Sequence, residues 1–269
     1  MRQSSNRFLT SLAATAAVSL VAATVAMAAT IVGDASSNVL TGTEQRDRIL
    51  ARAGDDTVNA LAGADLVRAG AGADTVNAGR GRDRIHGGLD NDVLNGDEGC
   101  DHVFGGRGDD TIEGGPGFSF RRFRCERLHG GLGDDVVNGS LGRDFMSGGQ
   151  GDDVQNGGVG ADKIFANPGR DTSDGGDGPD VLWALARVDV SAIGDPEGDS
   201  LTGGNGSDRF RVRDGEVDLV HCGEGRDHVL ADQFDQVDND CERVIRRDIT
   251  SLDQVEDGEE NRTENPTLD

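Results

Sequence analysis

GGRGDDTIE (residues 105–113), GGLGDDVVN (130–138), GGVGADKIF (157–165), GGDGPDVLW (175–183) and GGNGSDRFR (203–211) are variants of one nine-residue phrase. Working outward, the glycines loosen but the phase holds. Aspartate recurs every ninth residue at Asp47, Asp56, Asp65, Asp74, Asp83, Asp92, Asp101 and Asp110, with Asn38 one step earlier. It resumes at Asp135, Asp144, Asp153, Asp162, Asp171, Asp180 and Asp189, then continues with slips of one residue at Asp199, Asp208, Asp218 and Asp227. Two residues after almost every one stands an aliphatic, as at Ile49, Val58, Val76, Leu94, Ile112, Val137, Ile164 and Leu182; glycine usually stands two before. Each unit is a Gly-rich turn ending in Asp, then three residues whose middle member is apolar, enough for one short strand. Glycine permits positive φ and lets the loop present its carbonyls. One unit cannot bury its single aliphatic, but stacked units line these residues into a thin continuous core.

The rest of the composition agrees. The chain has 269 residues, 42 of them Gly, with 50 acidic against 26 basic side chains, a formal charge of −24 and no Tyr. Self-repulsion at this charge opposes compaction unless something bound neutralises it. A single lysine, Lys163, amid this acidic excess argues against nucleic acid and for cations as partners.

The five quoted phrases resemble the RTX, or hemolysin-type calcium-binding, nonapeptide GGxGxDxUx, and the resemblance covers about residues 33–230. It implies an all-β fold: a right-handed parallel β-roll with two nonapeptides per 18-residue coil, strands stacked in two parallel sheets, and Ca²⁺ between turns on the same edge. The ligands it implies are Asp56, Asp65, Asp74, Asp83, Asp92, Asp101, Asp110, Asp135, Asp144, Asp153, Asp162, Asp171, Asp180, Asp199, Asp208 and Asp227, with backbone oxygens. Oxygen-only coordination with many carbonyls is what Ca²⁺ prefers. If each ion uses two aspartates one coil apart, the uninterrupted runs offer about twelve sites, roughly +24 of charge. Between Gly42 and His86 the leading glycine pair is often replaced, as in ARAGDDTVN and ALAGADLVR, so sites there are expected to be weaker or empty.

A coil of 18 residues makes further expectations. Gln155, Ser173 and Ser191 replace the inward aliphatic at intervals of 18 and should stack on one sheet, where Val154, Thr172 and Val190 would turn inward or packing would be weak. Cys100 and Cys125 are 25 apart, one coil plus a seven-residue insertion, and Glu126 stands where the next turn's Asp belongs. Adjacent coils lie about 4.8 Å apart, within reach of a disulfide, so Cys100 is expected to pair with Cys125, and Cys222 with Cys241. Zinc is disfavoured: His102 and His228 follow ladder aspartates where side chains face solvent, and no HExxH or paired CxxC occurs. The insertion at 118–124, FSFRRFR, could dock a glycan, an anionic surface or another subunit, although covering an edge of the roll is the simpler expectation.

The ends read as follows. Residues 1–28 resemble a bacterial-style secretory signal: Arg2 and Arg7, an apolar stretch from Leu9 to Val25, then Ala26-Met27-Ala28 before a mature start at Ala29. No later segment could span a membrane. The roll is expected over residues 29–244, begun by Ile31 to Leu40 and capped by Phe234, Val237 and Val244 around Cys241, with an acidic disordered tail at 245–269. The expected protein is extracellular, free or attached to the cell surface, folded by Ca²⁺, and structural or adhesive with no catalysis; a surface glycan or another surface protein is the candidate partner. The alternative is a polysaccharide-acting lyase or epimerase on a parallel β-helix. Against it, every prominent Asp belongs to the ladder, and no GxSxG or HExxH motif occurs.

Overall fold

The computed structural model describes residues 27–116, 126–184 and 198–249. All regular structure there is β, and every strand pairing is parallel. One sheet has twelve strands, from Thr30–Val32 through Arg48–Ala53 and Leu66–Ala71 to Arg243–Arg246; the other has eleven, from Val39–Thr41 through Thr57–Asn59 to Gln236–Val237. The chain alternates between them, so neighbours within a sheet are one coil apart. Ile49 pairs with Val67, and Val58 with Val76, an offset of 18 residues. The predicted two-sheet roll is the observed fold.

The three-residue strand rule places the core. Ile49, Val67, Ile85, Val103, Leu128, Met146, Ile164 and Leu182 point inward from the first sheet, and Val58, Val76, Leu94, Ile112 and Val137 from the second, all buried. They form a single column about one side chain wide per sheet. The apolar burial per coil is therefore modest, and a second, smaller cluster adds to it where Phe165 and Trp183 are buried with Phe145 and Val181 packed against them. Ile31 and Leu40 pack against this column at one end and Val237 with Cys241 at the other, as expected. Val244 does not cap: it is 38% exposed on the terminal strand Arg243–Arg246. That strand also runs past the boundary set at residue 244, and Ile249 is buried, its N–H donating to Gln233 Oε1 at 2.7 Å. Much of the expected tail lies outside the described residues, as do residues 1–26 and the insertion at 118–124.

Two insertions interrupt the coil. His102 pairs with Arg127, an offset of 25, which is the predicted seven-residue insertion. The second was not foreseen. Asp171 is followed on its file by Asp199, 28 residues on, and Thr172 pairs with Ser200. Asp189 therefore takes no place between them, and the position expected for Ser191 belongs to Leu201, which pairs with Ser173. Ser191, Val190 and Asp189 themselves lie outside the described residues.

Gln155 and Ser173 do stack on one sheet. The expectation that their neighbours turn inward is wrong: Val154 is 48% exposed while Gln155 and Ser173 are 1% exposed. A three-residue strand has no room to flip its middle residue without leaving register. The polar pair is instead satisfied inside, with Ser173 Oγ donating to Gln155 Oε1 at 2.9 Å and Gln155 Nε2 donating to Phe165 O at 2.9 Å.

Cys222 and Cys241 form the predicted disulfide, with Cα atoms 5.2 Å apart and a sequence separation of 19. Cys100 is disulfide-bonded, and its expected partner, Cys125, lies outside the described residues. Replacing both Cys222 and Cys241 with Ser frees a loop of that length in the unfolded chain. The expected loss is about 3 kcal/mol, read as a lower guanidinium midpoint in saturating Ca²⁺. An unchanged midpoint would mean that the end of the roll unfolds independently of the rest.

Candidate metal centre

In the two large sheets the residue before nearly every strand is a ladder carboxylate, and the structure sorts these positions into two files. Before the first sheet run Asp47, Asp65, Asp83, Asp101, Glu126, Asp144, Asp162, Asp180, Asp208, Asp227 and Glu242; before the second run Asn38, Asp56, Asp74, Asp92, Asp110, Asp135, Asp153, Asp171, Asp199, Asp218 and Asp235. Every aspartate predicted as a ligand stands in one file or the other. Glu126 fills the Asp position after the insertion, as its spacing implied. Asp235 and Glu242 extend the files beyond the range where the repeat was legible. The available signal was an aliphatic two residues on, Val237 and Val244, since the glycines that mark the other turns are missing.

Within a file, the backbone N–H of most members donates to the carboxylate one coil ahead; Glu126 departs from this as an acceptor, both of its carboxylate oxygens being buried with no hydrogen-bond partner in the protein. Asp65 N donates to Asp83 Oδ1 at 2.7 Å, Asp144 N to Asp162 Oδ1 at 2.8 Å and Asp162 N to Asp180 Oδ1 at 2.7 Å. The second file repeats this, from Asn38 N to Asp56 Oδ1 at 2.7 Å through Asp135 N to Asp153 Oδ1 at 2.8 Å. One oxygen of most ladder aspartates thus finishes a backbone hydrogen bond that the turn could not make with itself. The other oxygen is left over. Oδ2 of Asp56, Asp65, Asp74, Asp83, Asp92, Asp101, Asp110, Asp135, Asp144, Asp153, Asp162, Asp180, Asp199, Asp208 and Asp227 is buried with no hydrogen-bond partner in the protein. A buried anionic oxygen without a partner is among the costliest groups a fold can hold.

These oxygens face other oxygens. A Cβ placed on Gly157 would lie 2.6 Å from Gly175 O and 2.9 Å from Asp162 Oδ2; one on Gly175 would lie 2.7 Å from Gly203 O and 2.8 Å from Asp180 Oδ2. The first glycine of the phrase therefore leaves open a spot on which a ladder carboxylate and a carbonyl from the next coil converge. In the early turns that glycine is Ala51, Ala60, Ala69 or Ala78, each fully buried in the core column.

Burial pushes the carboxyls up, and neighbouring carboxylates add to it. Asp65, Asp74, Asp83, Asp110, Asp162 and Asp208 rise to about 6. Asp92, Asp144 and Asp153 rise to about 7, and Asp101, Asp135 and Asp180 to about 8. Glu126, buried beside Asp144 and Asp101, rises to about 10. The backbone N–H bond pulls the aspartates the other way but does not prevail. Near neutral pH the files therefore call for protons or cations. The converging donors are all oxygen, carboxylate and carbonyl, which fits a hard cation such as Ca²⁺ and offers nothing to a thiophilic or imidazole-seeking metal.

The comparisons agree with this geometry. No individual curated protein matches the chain. The family described as the RTX calcium-binding nonapeptide repeat (4 copies) matches residues 32–67, 68–100, 86–119, 126–155, 156–182 and 193–216. With those matches spread over most of the roll, the chain belongs to the RTX calcium-binding repeat family, a β-roll whose repeats bind Ca²⁺.

Proposed function

We propose that this is a secreted protein whose roll is completed by Ca²⁺ held at the ladder aspartates named above, and that it serves a structural, surface or adhesive role without catalysis. The observation that supports this best is the pair of continuous carboxylate files with their leftover buried oxygens. Such a fold finishes itself only where free Ca²⁺ is plentiful, and the millimolar range outside cells suits the modest affinity of sites with one or two carboxylates. Most of the shifted aspartates are consumed in the architecture, lending an oxygen to the adjacent coil, which leaves them poorly placed for acid-base work. The early turns, with Ala51, Ala60, Ala69 and Ala78 in place of glycine, hold their ions more weakly because a methyl occupies the converging spot.

Among the described residues no helix is long and apolar enough to cross a membrane. Export through the N-terminal signal is tested by producing the full chain in an export-competent host. The expected product is outside the cytoplasm and begins at Ala29 on N-terminal sequencing. A chain retained inside cells with residues 1–28 intact would overturn the secreted reading. Binding of the exported, Ca²⁺-loaded chain to cell-surface glycan or to a surface protein is the corresponding expectation for its partner.

A further inference from the structure

Charge is divided between the two sheets. None of the strands of the twelve-stranded sheet contains an Asp or Glu, and none of those of the eleven-stranded sheet contains a Lys or Arg. The residues just before the ladder acids follow the same division. Ahead of the first sheet they include Arg46, Arg82, Arg143 and Arg226, and ahead of the second Asp55, Asp109, Asp134 and Asp152, all exposed. A chain with 50 acidic against 26 basic side chains thus keeps one sheet free of acid.

The register sets the arginines of that sheet in rows. Arg48 pairs with Leu66, Leu66 with Arg84, Arg84 with His102 and His102 with Arg127; beside them Arg68 pairs with His86, His86 with Phe104 and Phe104 with His129. Strands lie about 4.8 Å apart, so the row from Arg48 to Arg127 is a straight track of about 19 Å. Phe104 is flanked on both sides, its ring centroid 4.8 Å from that of His86 and 5.0 Å from that of His129, and Arg127 lies 6.0 Å over the Phe145 ring. Arg82, Arg84 and Arg127 stand close enough together that all three bear on His102. Arg48, Arg68, Arg84 and Arg127 are exposed, and among the described residues none of the four makes a side-chain hydrogen bond or an ion pair. The ion pairs of Arg80 with Glu98 and of Arg170 with Asp152 lie off this sheet.

A row of unpaired guanidiniums on a flat, rigid face suits a linear chain of anions, since each planar fork matches a carboxylate or sulfate with two parallel hydrogen bonds. Two other occupants fit less well. Single-stranded nucleic acid stacks its bases on free ring faces, whereas Phe104 is already held between two imidazoles. A bilayer takes up apolar side chains, and no exposed large apolar residue stands at the outward positions from Arg48 to His129. We propose that the outer face of the twelve-stranded sheet, from Arg48 to Arg127, binds an acidic polysaccharide, a chain bearing carboxylates or sulfates. This gives the surface glycan of the proposed function a face and a charge, and it rests on that reading. Ca²⁺ takes part indirectly: ions in the ladder relieve the negative potential behind the sheet, so the arginine row attracts an anionic chain best in the loaded roll.

The test titrates the full chain, in saturating Ca²⁺, with hyaluronate as the carboxylate polymer, dextran sulfate as the sulfate polymer and dextran as the neutral one. Binding to at least one charged polymer is expected, weakened by salt, with none to dextran. Arg84→Gln/Arg127→Gln is expected to lose about tenfold in affinity. Arg80→Gln/Arg170→Gln, which removes the same charge off this face, is expected to keep it. Equal affinities in the two variants, or a Ca²⁺-loaded, β-rich chain that ignores both charged polymers, would overturn the face while leaving a neutral glycan or a surface protein as partner. Tighter binding to single-stranded DNA or to phosphatidylserine vesicles than to either polymer would overturn the polysaccharide. A chain that takes up no Ca²⁺ would overturn this proposal and the proposed function together. Should the double variant lose its β circular dichroism, Arg48→Gln and Arg84→Gln are read singly, each expected to weaken binding about threefold, with unchanged affinity again overturning the face.

Discussion

Stripping Ca²⁺ from the full chain with EGTA at pH 8 is expected to abolish its β circular dichroism signal, and returning Ca²⁺ is expected to restore it. Lowering the pH of the EGTA-treated chain to about 5 should restore part of it without any metal. The sign follows from the ladder. Its aspartates have an ordinary value of 3.8 and are raised in the fold to between about 6 and about 8, chiefly by burial. The metal-free roll thus binds more protons than the unfolded chain between those limits. Its stability is fully present below about pH 4 and is lost as pH rises through 6 to 8. Asp92, Asp101, Asp135, Asp144, Asp153 and Asp180 all act in this direction, and a folded domain has only roughly 5–15 kcal/mol of stability to lose. Protons and Ca²⁺ compete for the same oxygens, so the Ca²⁺ midpoint of refolding should fall as pH rises from 6 to 8, with protons released on binding. A β signal that persists in EGTA at pH 8 would show that the files do not need neutralising.

Competition between proton and metal also explains the composition. A charge of −24 is an obstacle to folding, yet ladder acids such as Asp83, Asp144 and Asp208 each hold a buried second oxygen with no hydrogen-bond partner in the protein. The exposed acids, such as Asp109, Asp134 and Asp152, have a different task. They bond across the outer turns, as in Asp134 N to Asp109 Oδ1 at 3.1 Å and Asp152 N to Asp134 Oδ1 at 2.9 Å, and tie coils together where water is present.

The period was legible because every unit meets the same two demands, an inward aliphatic and a carboxylate that closes the next coil's hydrogen bond. Asp189 shows how this reading can mislead. It kept the nine-residue phase but lacked both a glycine two before it and an aliphatic two after, since Arg187 and Ser191 stand there. Phase alone does not make a coil, and the real ladder skips from Asp171 to Asp199. Asp235 and Glu242 show the opposite. They kept the aliphatic at the second position and lost the glycines, and the backbone still delivered their carboxylates to Asp218 N and Asp227 N, at 3.4 and 2.8 Å. Gln155 kept its inward position despite its polarity because register in a stacked sheet is set by the neighbours above and below.

Gly178→Ala is expected to destabilise the Ca²⁺-saturated roll by on the order of 4 kcal/mol or more, among the largest effects one methyl can have. Gly142, Gly160, Gly178, Gly206 and Gly225 stand one above another on the edge where the short turn strands pair, as Gly142 with Gly160 and Gly206 with Gly225. A Cβ on Gly178 would collide with Gly160 O and lie 2.6 Å from its carbonyl carbon. Backbone atoms cannot swing aside as a side chain can, so the coils would have to part. The residue is also held at φ +136, beyond the left-handed range in which Ser140 at +73 and Asn167 at +70 carry side chains in their own turns. The same close approach to the preceding coil's carbonyl recurs at Gly160, Gly206 and Gly225, so local relaxation would propagate along these coils and weaken the oxygen cradle of Gly175 and Asp180 beside it. Val159→Ala, on an exposed side chain of the neighbouring turn, should stay within about 0.5 kcal/mol and serves as the comparison. Guanidinium unfolding in saturating Ca²⁺ measures both. Equal midpoints for the two variants would mean that the coils are not in contact along this edge, and the register built on Gly160 and Gly178 would fall with them.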